Sequence, residues 1–310
     1  NGISGDEGNV RNLIINEIKD CADDIKTDNL GNLIVFKKGK KSAKSKLMVS
    51  AHMDEVGLMV TDITSDGYLK FDEVGGIDRR VLPGKRVCVG RNGLNGVIGV
   101  KPIHLTNGDE KTAVPKMNDM YIDIGAESRE DALKYVNYGD SINFEGDFKI
   151  NGKTVVTKAL DDRFGCYVLI NLIKSEPEYD MYFTFVVQEE VGLRGARPAA
   201  FTVNPDFALV IESTTAADVA EVDASHQVCN LSKGATVTVM DRATVYDKEM
   251  ISAAFEFAEK NNIAVQYKRA VAGGNDSGAI HQSRGGGGTL SGLPSSRDNH
   301  APFTFGNLYD

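Results

Sequence analysis

Cysteine, positive charge and long apolar runs are all scarce in this chain, and each shortage excludes something. Among 310 residues there are four cysteines, Cys21, Cys88, Cys166 and Cys229, at no paired spacing. A disulfide framework is therefore not indicated. The apolar settings of Cys88 and Cys166 read as buried thiols in a reducing compartment. No apolar run approaches the roughly 18 residues of a membrane-spanning helix, and the first residues show no signal-peptide pattern. A cytoplasmic location is the expectation. Lys and Arg total 35 against 44 Asp and Glu, a net charge of −9. That balance argues against nucleic acid or an anionic membrane as partner. One basic run, Lys37 to Lys46, reads as a solvated hairpin turn between two strands.

What is present is a change of pattern along the chain. Residues 8 to 60 read as an amphipathic helix (Val10 to Cys21), two strands around the basic turn, and a strand ending at His52. From 61 to 152 the signal becomes short strands broken by turns such as Ser65-Asp-Gly67, Pro83-Gly84 and Asn151-Gly152. Turn signals at that spacing indicate a small β-barrel or sandwich. A short helix with an acidic first turn is expected at Glu127 to Leu133. From 153 onward strands and helices alternate, as in a mostly parallel sheet with helices on both faces. The expected fold is therefore α/β, with one domain from 1–60 and 153–310 and an inserted β-barrel domain at 61–152. Four successive glycines at 285–288 favour a flexible loop over a strand.

Acidic and imidazole groups recur at the ends of apolar runs. Glu189 and Glu190 stand back to back after Met181 to Gln188, a buried-strand pattern. Ligands gather at such strand ends, and two adjacent carboxylates repel unless a cation or proton intervenes. Another apolar strand ends in His52-Met-Asp54. A ligating His usually passes its second N–H to a carboxylate, which Asp54 could supply. Asp161 and Asp162 open an apolar stretch of helical length, and Glu212 follows Phe207 to Ile211. His300 lies in a late loop, Asn299-His-Ala-Pro302. Singly, each has a plain structural explanation, such as the preference of helix N-termini for anions. Together they form a mixed N/O donor set that suits zinc, cobalt or manganese. Two ions sharing one carboxylate would use five side chains and leave one glutamate as general base. Paired metals lower the pKa of a clamped water and polarise a carbonyl. Gly273 to Gly278 lacks the lysine of a phosphate loop and reads as a wall of the substrate pocket, with Asn275 and Asp276 facing a peptide amino terminus.

The stretches Ala51-His-Met-Asp-Glu-Val-Gly57, Ala159-Leu-Asp-Asp-Arg163, Gln188-Glu-Glu-Val-Gly192 and Gly273-Gly-Asn-Asp276 resemble the tetrahedral aminopeptidases. These are also described as glutamyl, leucyl or deblocking aminopeptidases, and some members are labelled endoglucanases. Further agreement, from Asn1-Gly-Ile-Ser to Val239-Met-Asp-Arg242, extends the resemblance over nearly the whole chain. It implies that His52 binds one metal with Asp54 orienting the ring, and that Asp161 bridges two metals with Asp162 behind it. It implies that Glu190 binds the metal opposite the one held by Glu212, and that His300 completes the second site. Glu189 is then the general base. The cofactors implied are two divalent ions, zinc first, with cobalt or manganese as alternatives. The insert is expected to mediate dimerisation, with dimers building a dodecamer. Family members carry further helices before Asn1 and after His300-Ala-Pro, so the chain reads as trimmed at both ends. His104, His226 and His281 are read as non-ligands.

The function implied is a cytosolic aminopeptidase acting on short peptides. The alternatives are a deacylase of N-acyl amino acids with the same centre, or an inactive scaffold. A glycosidase using the glutamate pair is disfavoured, because neighbours on one strand point to opposite faces.

Overall fold

The computed structural model describes residues 1–310. Its centre is an eight-stranded sheet. In spatial order the strands are Asp24–Thr27, Leu33–Lys37, Met181–Val186, Leu47–His52, Phe207–Ile211, Gly288–Leu293, Ala235–Val237 and Val265–Tyr267. The four from Met181–Val186 to Gly288–Leu293 are mutually parallel. Val186 is level with His52, and Ile211 with Gly292, so these strands finish along one edge.

Strand alternation supplies both faces of this layer. Val49, Ala51, Phe183 and Phe185 pack with the helices Gly8–Ile18 and Leu160–Lys174 through Val10, Ile14, Leu169 and Ile173. On the opposite face Met48, Ala208 and Val210 meet Ala196, Ala200 and Ile280 of the helices Ala196–Val203 and Ser277–Ile280. Each fully buried Phe or Ile side chain contributes roughly 1.5–3 kcal/mol. The fold class expected from the sequence is the one observed.

A closed six-stranded barrel hangs from this layer. It starts at Gly57 and its last strand is Ser141–Phe144, so only Met53 to Val56 separate the His52 strand from the first barrel strand. Its interior is a separate cluster including Leu58, Leu69, Phe71, Ile98, Ile122 and Ile142. Lys149–Asn151 lies outside it, pairing with Thr154–Thr157 in a second, five-stranded sheet.

Three local expectations need correction. The basic run is not a hairpin, because Met181–Val186 lies between Leu33–Lys37 and Leu47–His52. The connection instead crosses the start of that strand, with the N–H groups of Lys40 and Lys41 donating to Pro177 O and Glu178 O. The glycine run does not end the sheet either. Gly288 begins a strand whose Thr289, Ser291 and Leu293 are buried. A side chain at Gly288 would crowd the Phe207 ring on the neighbouring strand, so the missing Cβ permits the pairing rather than preventing it. Finally, Glu189 and Glu190 lie beyond the strand, after Gln188 at φ 55°. Strand alternation therefore does not set their directions.

Candidate metal centre

The sheet edge brings the acidic and imidazole groups together. His52 is the last residue of its strand and 1% exposed. Its Nδ1 lies 3.0 Å from the Asp54 carbonyl oxygen, and 3.5 Å from that residue's carboxylate. A carbonyl can only accept, so Nδ1 carries a proton. Nε2 faces Glu212 Oε1 at 3.1 Å and Asp161 Oδ1 at 3.3 Å.

The Asp54 carboxylate has a larger task than the imidazole. Its Oδ1 accepts from the Glu189 N–H at 3.0 Å, and its Oδ2 from the Glu190 N–H at 3.1 Å and the Ser4 hydroxyl at 2.6 Å. One buried carboxylate thus fixes the turn that carries both glutamates. Asp162 acts similarly on the other side, accepting from the His52 N–H at 3.2 Å and the Gly165 N–H at 3.0 Å. The peptide between Asp161 and Asp162 is cis.

His300 arrives from the second sheet. Ser295–Arg297 and Thr304–Asn307 pair antiparallel, and the loop between them carries His300 at φ 59°. Its Nε2 lies 3.2 Å from Glu190 Oε2 and 3.5 Å from Asp161 Oδ2. Asn299 adds an N–H to the same Asp161 oxygen at 3.2 Å and another to Ser213 Oγ at 2.8 Å. Asn299 has no signal in the sequence beyond standing next to His300.

Three groupings have donor atoms mutually within 4.8 Å: His52, Asp161 and Glu212; Asp161, Glu190 and His300; and His52, Glu189 and Glu190. His104, His226 and His281 enter none of them. Asn275 lines the cleft, yet its side chain is committed to Ser291 Oγ, the Ser277 N–H and the Tyr246 hydroxyl. It braces the loop.

Glu55 anchors the region from below. Buried at 3% exposure, it accepts from Lys158 Nζ at 2.7 Å, Arg163 at 3.0 Å and the Gly2 N–H at 3.1 Å. It thereby ties the turn after His52 to the turn bearing Asp161. These cations outweigh the effect of its burial and hold its carboxyl below the ordinary range.

The titration behaviour shows what this cluster lacks. Burial, then the charge of Asp161, pushes Glu190 up to about 7. Burial drives Glu189 and Glu212 well above the ordinary carboxylate range, with neighbouring carboxylates adding to it. Burial also raises Asp276 to about 7. Asp161 moves the other way: burial opposes ionisation, but hydrogen bonds from His300 and His52 hold it down. His300 is correspondingly held up to about 9, first by its bond to Asp161. Glu212 Oε2 is buried with no partner at all. An imidazole nitrogen aimed at two carboxylates, beside an orphaned carboxylate oxygen, fits a cation among these donors. The charge of such a cation reverses the shifts.

The comparisons with known proteins agree with this chemistry. The M42 glutamyl aminopeptidase family model matches residues 31–310. A TET aminopeptidase from the marine sediment archaeon Thaumarchaeota archaeon SCGC AB-539-E09 superposes with a TM-score of 0.95 at 33% identity, covering 99% of this chain and 88% of that one. The TET1 peptidase of Pyrococcus horikoshii, described as assembling into a tetrahedron or a large octahedral shell, gives a TM-score of 0.87 at 39% identity, with 99% and 91% covered. The lysyl aminopeptidase of Pyrococcus furiosus is 34% identical over 276 residues, which is 86% of this chain and 77% of the relative. The chain belongs to the M42 glutamyl aminopeptidase family, and it is a metallo-aminopeptidase.

Proposed function

We propose that two divalent ions complete the centre, one held by His52, Asp161 and Glu212, the other by Asp161, Glu190 and His300. The observation that carries this reading is the symmetry about Asp161. His52 Nε2 sits 3.3 Å from its Oδ1, and His300 Nε2 sits 3.5 Å from its Oδ2. A carboxylate with an imidazole at each oxygen is suited to bridging. Zinc comes first for such N/O donors, with cobalt or manganese as alternatives. Ions bound there would lower the pKa of water and polarise the scissile carbonyl.

The remaining work belongs to the chain. Glu189 takes a proton from the attacking water and delivers it to the leaving amine. Its burial, which favours the protonated form, suits the second half of that task. Asp54 keeps Glu189 and Glu190 in place through their backbone N–H groups. Asp162, by accepting from the His52 N–H, holds the end of the histidine strand. The substrate is the N-terminus of a short peptide, shortened one residue at a time. The catalytic domain, expected at 1–60 and 153–310, is the part outside the barrel, which runs from Gly57 to Phe144. The barrel insert joins two copies, and dimers build a dodecamer of the tetrahedral kind. With four free thiols, the protein works in the cytoplasm.

The test is Glu189→Gln in protein of measured metal content. Turnover of aminoacyl-p-nitroanilides should fall by about 10²–10⁴-fold while two ions per chain remain bound. Full activity in that variant would remove Glu189 as the base. One ion per chain in active protein would remove the bridging role of Asp161. Cleavage of N-acyl amino acids in preference to aminoacyl substrates would favour a deacylase.

A further inference from the structure

Asp161 is the carboxylate on which both halves of the centre depend, and its own bonds do not fix where its oxygens point. The last torsion of an aspartate is broad and roughly two-fold, so its partners must decide. Three of them are titratable side chains: His52, with Nε2 3.3 Å from Oδ1, His300, with Nε2 3.5 Å from Oδ2, and Glu212. The fourth is the amide of Asn299, whose Nδ2 donates to Oδ2 at 3.2 Å. An ionised carboxylate only accepts, so the NH₂ end of the amide must face it. The other bonds of the amide agree with that orientation. Nδ2 also donates to Ser213 Oγ at 2.8 Å, and Oδ1 faces the Ser296 hydroxyl. Ser213 follows Glu212, and its own N–H donates to Glu212 Oε1 at 3.1 Å. The loop is tightly turned at this point, with φ 61° at Asp298 and 59° at His300. One half-buried side chain thus joins the shared aspartate, the segment carrying Glu212 and the loop carrying His300.

We propose that Asn299 is a positioning residue that holds Asp161 with one oxygen toward each imidazole, and so sustains the binding of a second ion. The inference rests on the two-ion reading of the centre. An imidazole that ligates a cation gives its lone pair to the ion and no longer donates to Asp161. Of the four partners, Asn299 alone then still supplies a hydrogen bond. A carboxylate offers about four lone-pair directions, two on each oxygen. The amide occupies one on Oδ2 and leaves the other open toward His300 and Glu190, whose Nε2 and Oε2 lie 3.2 Å apart. Without the amide the carboxylate can turn about its last torsion and offer both oxygens to one cation. The other cation would then keep only one imidazole and one terminal carboxylate.

The experiment titrates metal-free protein with zinc in a calorimeter and with cobalt in a spectrophotometer. Wild type should take up two ions per chain. Asn299→Leu, which keeps the size and loses the donors, should weaken one ion by about 10–100-fold and leave the other within about threefold. The one-ion cobalt form of that variant should lose visible absorbance, because a chelating carboxylate raises the coordination number. A loop that had merely lost packing would not change that spectrum. Ser213→Ala removes the other acceptor of the amide and spares the Asp161 contact, so it should weaken the ions less than Asn299→Leu does. Equal effects on the two ions in Asn299→Leu, including none, overturn the proposal. So does an equal loss in Ser213→Ala, which would reduce Asn299 to a brace of its loop. If Asn299→Leu does not fold, Asn299→Ala carries the same expectations. One ion per chain in wild type would defeat the two-ion reading and the proposal with it, and that result is seen before any variant is compared.

Discussion

The barrel and the sheet edge are built on opposite principles. The barrel encloses fifteen apolar residues in one cluster, and between Gly57 and Phe144 only Ser141 and Asn143 are buried polar residues. At the sheet edge His52, Asp54, Glu55, Asp162, Glu212 and Asp276 are all buried. Apolar burial stabilises without directional demands, whereas buried charge costs several kcal/mol per ion unless it is paired. The edge is therefore the part whose integrity depends on partners: Asp54 on two backbone N–H groups and the Ser4 hydroxyl, Asp162 on the N–H groups of His52 and Gly165, and Glu55 on two cations.

The largest effect expected from breaking this contrast is at the shared carboxylate. Asp161→Ala should abolish measurable turnover, a loss beyond about 10³-fold, with metal content falling in parallel. Retention of both ions would contradict the central place given to Asp161. The barrel should respond in the opposite way. Leu69→Ala, at a fully buried position, should lower unfolding free energy by about 2–5 kcal/mol in denaturant titration. The folded fraction should keep its metal and its kcat. Loss of metal from folded Leu69→Ala protein would show the two regions to be coupled. A smaller effect is expected from Asp54→Asn. It keeps the shape but weakens the acceptors for Glu189 and Glu190, and should reduce metal affinity or kcat by about 10–100-fold. An unaltered enzyme would reduce Asp54 to a filler.

The smallest effect is a pH slope confined to the edge. In metal-free protein burial holds Glu190 and Asp276 up at about 7, above the ordinary carboxylate values near 4. The folded state then retains protons that the unfolded chain has already released. Stability is highest at low pH on this account, and it falls as pH rises from about 4 through about 7, by on the order of 1–3 kcal/mol. Melting curves between about pH 5 and pH 7 with chelator should show the decline, and saturating zinc should flatten it. A metal-free melting temperature that climbs over the same range would reverse the sign and refute the argument.

Much of this was legible in the chain because strands and their endings are local. The run before Glu189, the run before Glu212 and the one ending at His52 are apolar segments that a covered sheet demands. Each acidic or imidazole group stands immediately after its strand or within a few residues of it. The barrel announced itself through glycine turns at short intervals. The misreadings share one cause. Whether Leu33–Lys37 and Leu47–His52 pair with each other depends on Met181–Val186, more than a hundred residues away. Whether a glycine-rich stretch becomes a strand depends on a neighbouring Phe207 that needs the space.

By itself, then, the sequence determined the α/β character, the barrel, and the acidic and imidazole side chains that the fold gathers at the sheet edge. Periodicity and residue type are written into short windows. Tertiary structure alone decided that Asp54 grips the glutamate turn, that a hairpin of a second sheet delivers His300, and that Glu55 is clamped by Lys158 and Arg163. Those facts are pairings between distant segments. No local pattern encodes them, because the hydrogen bonds and charges involved find their partners only once the chain is packed.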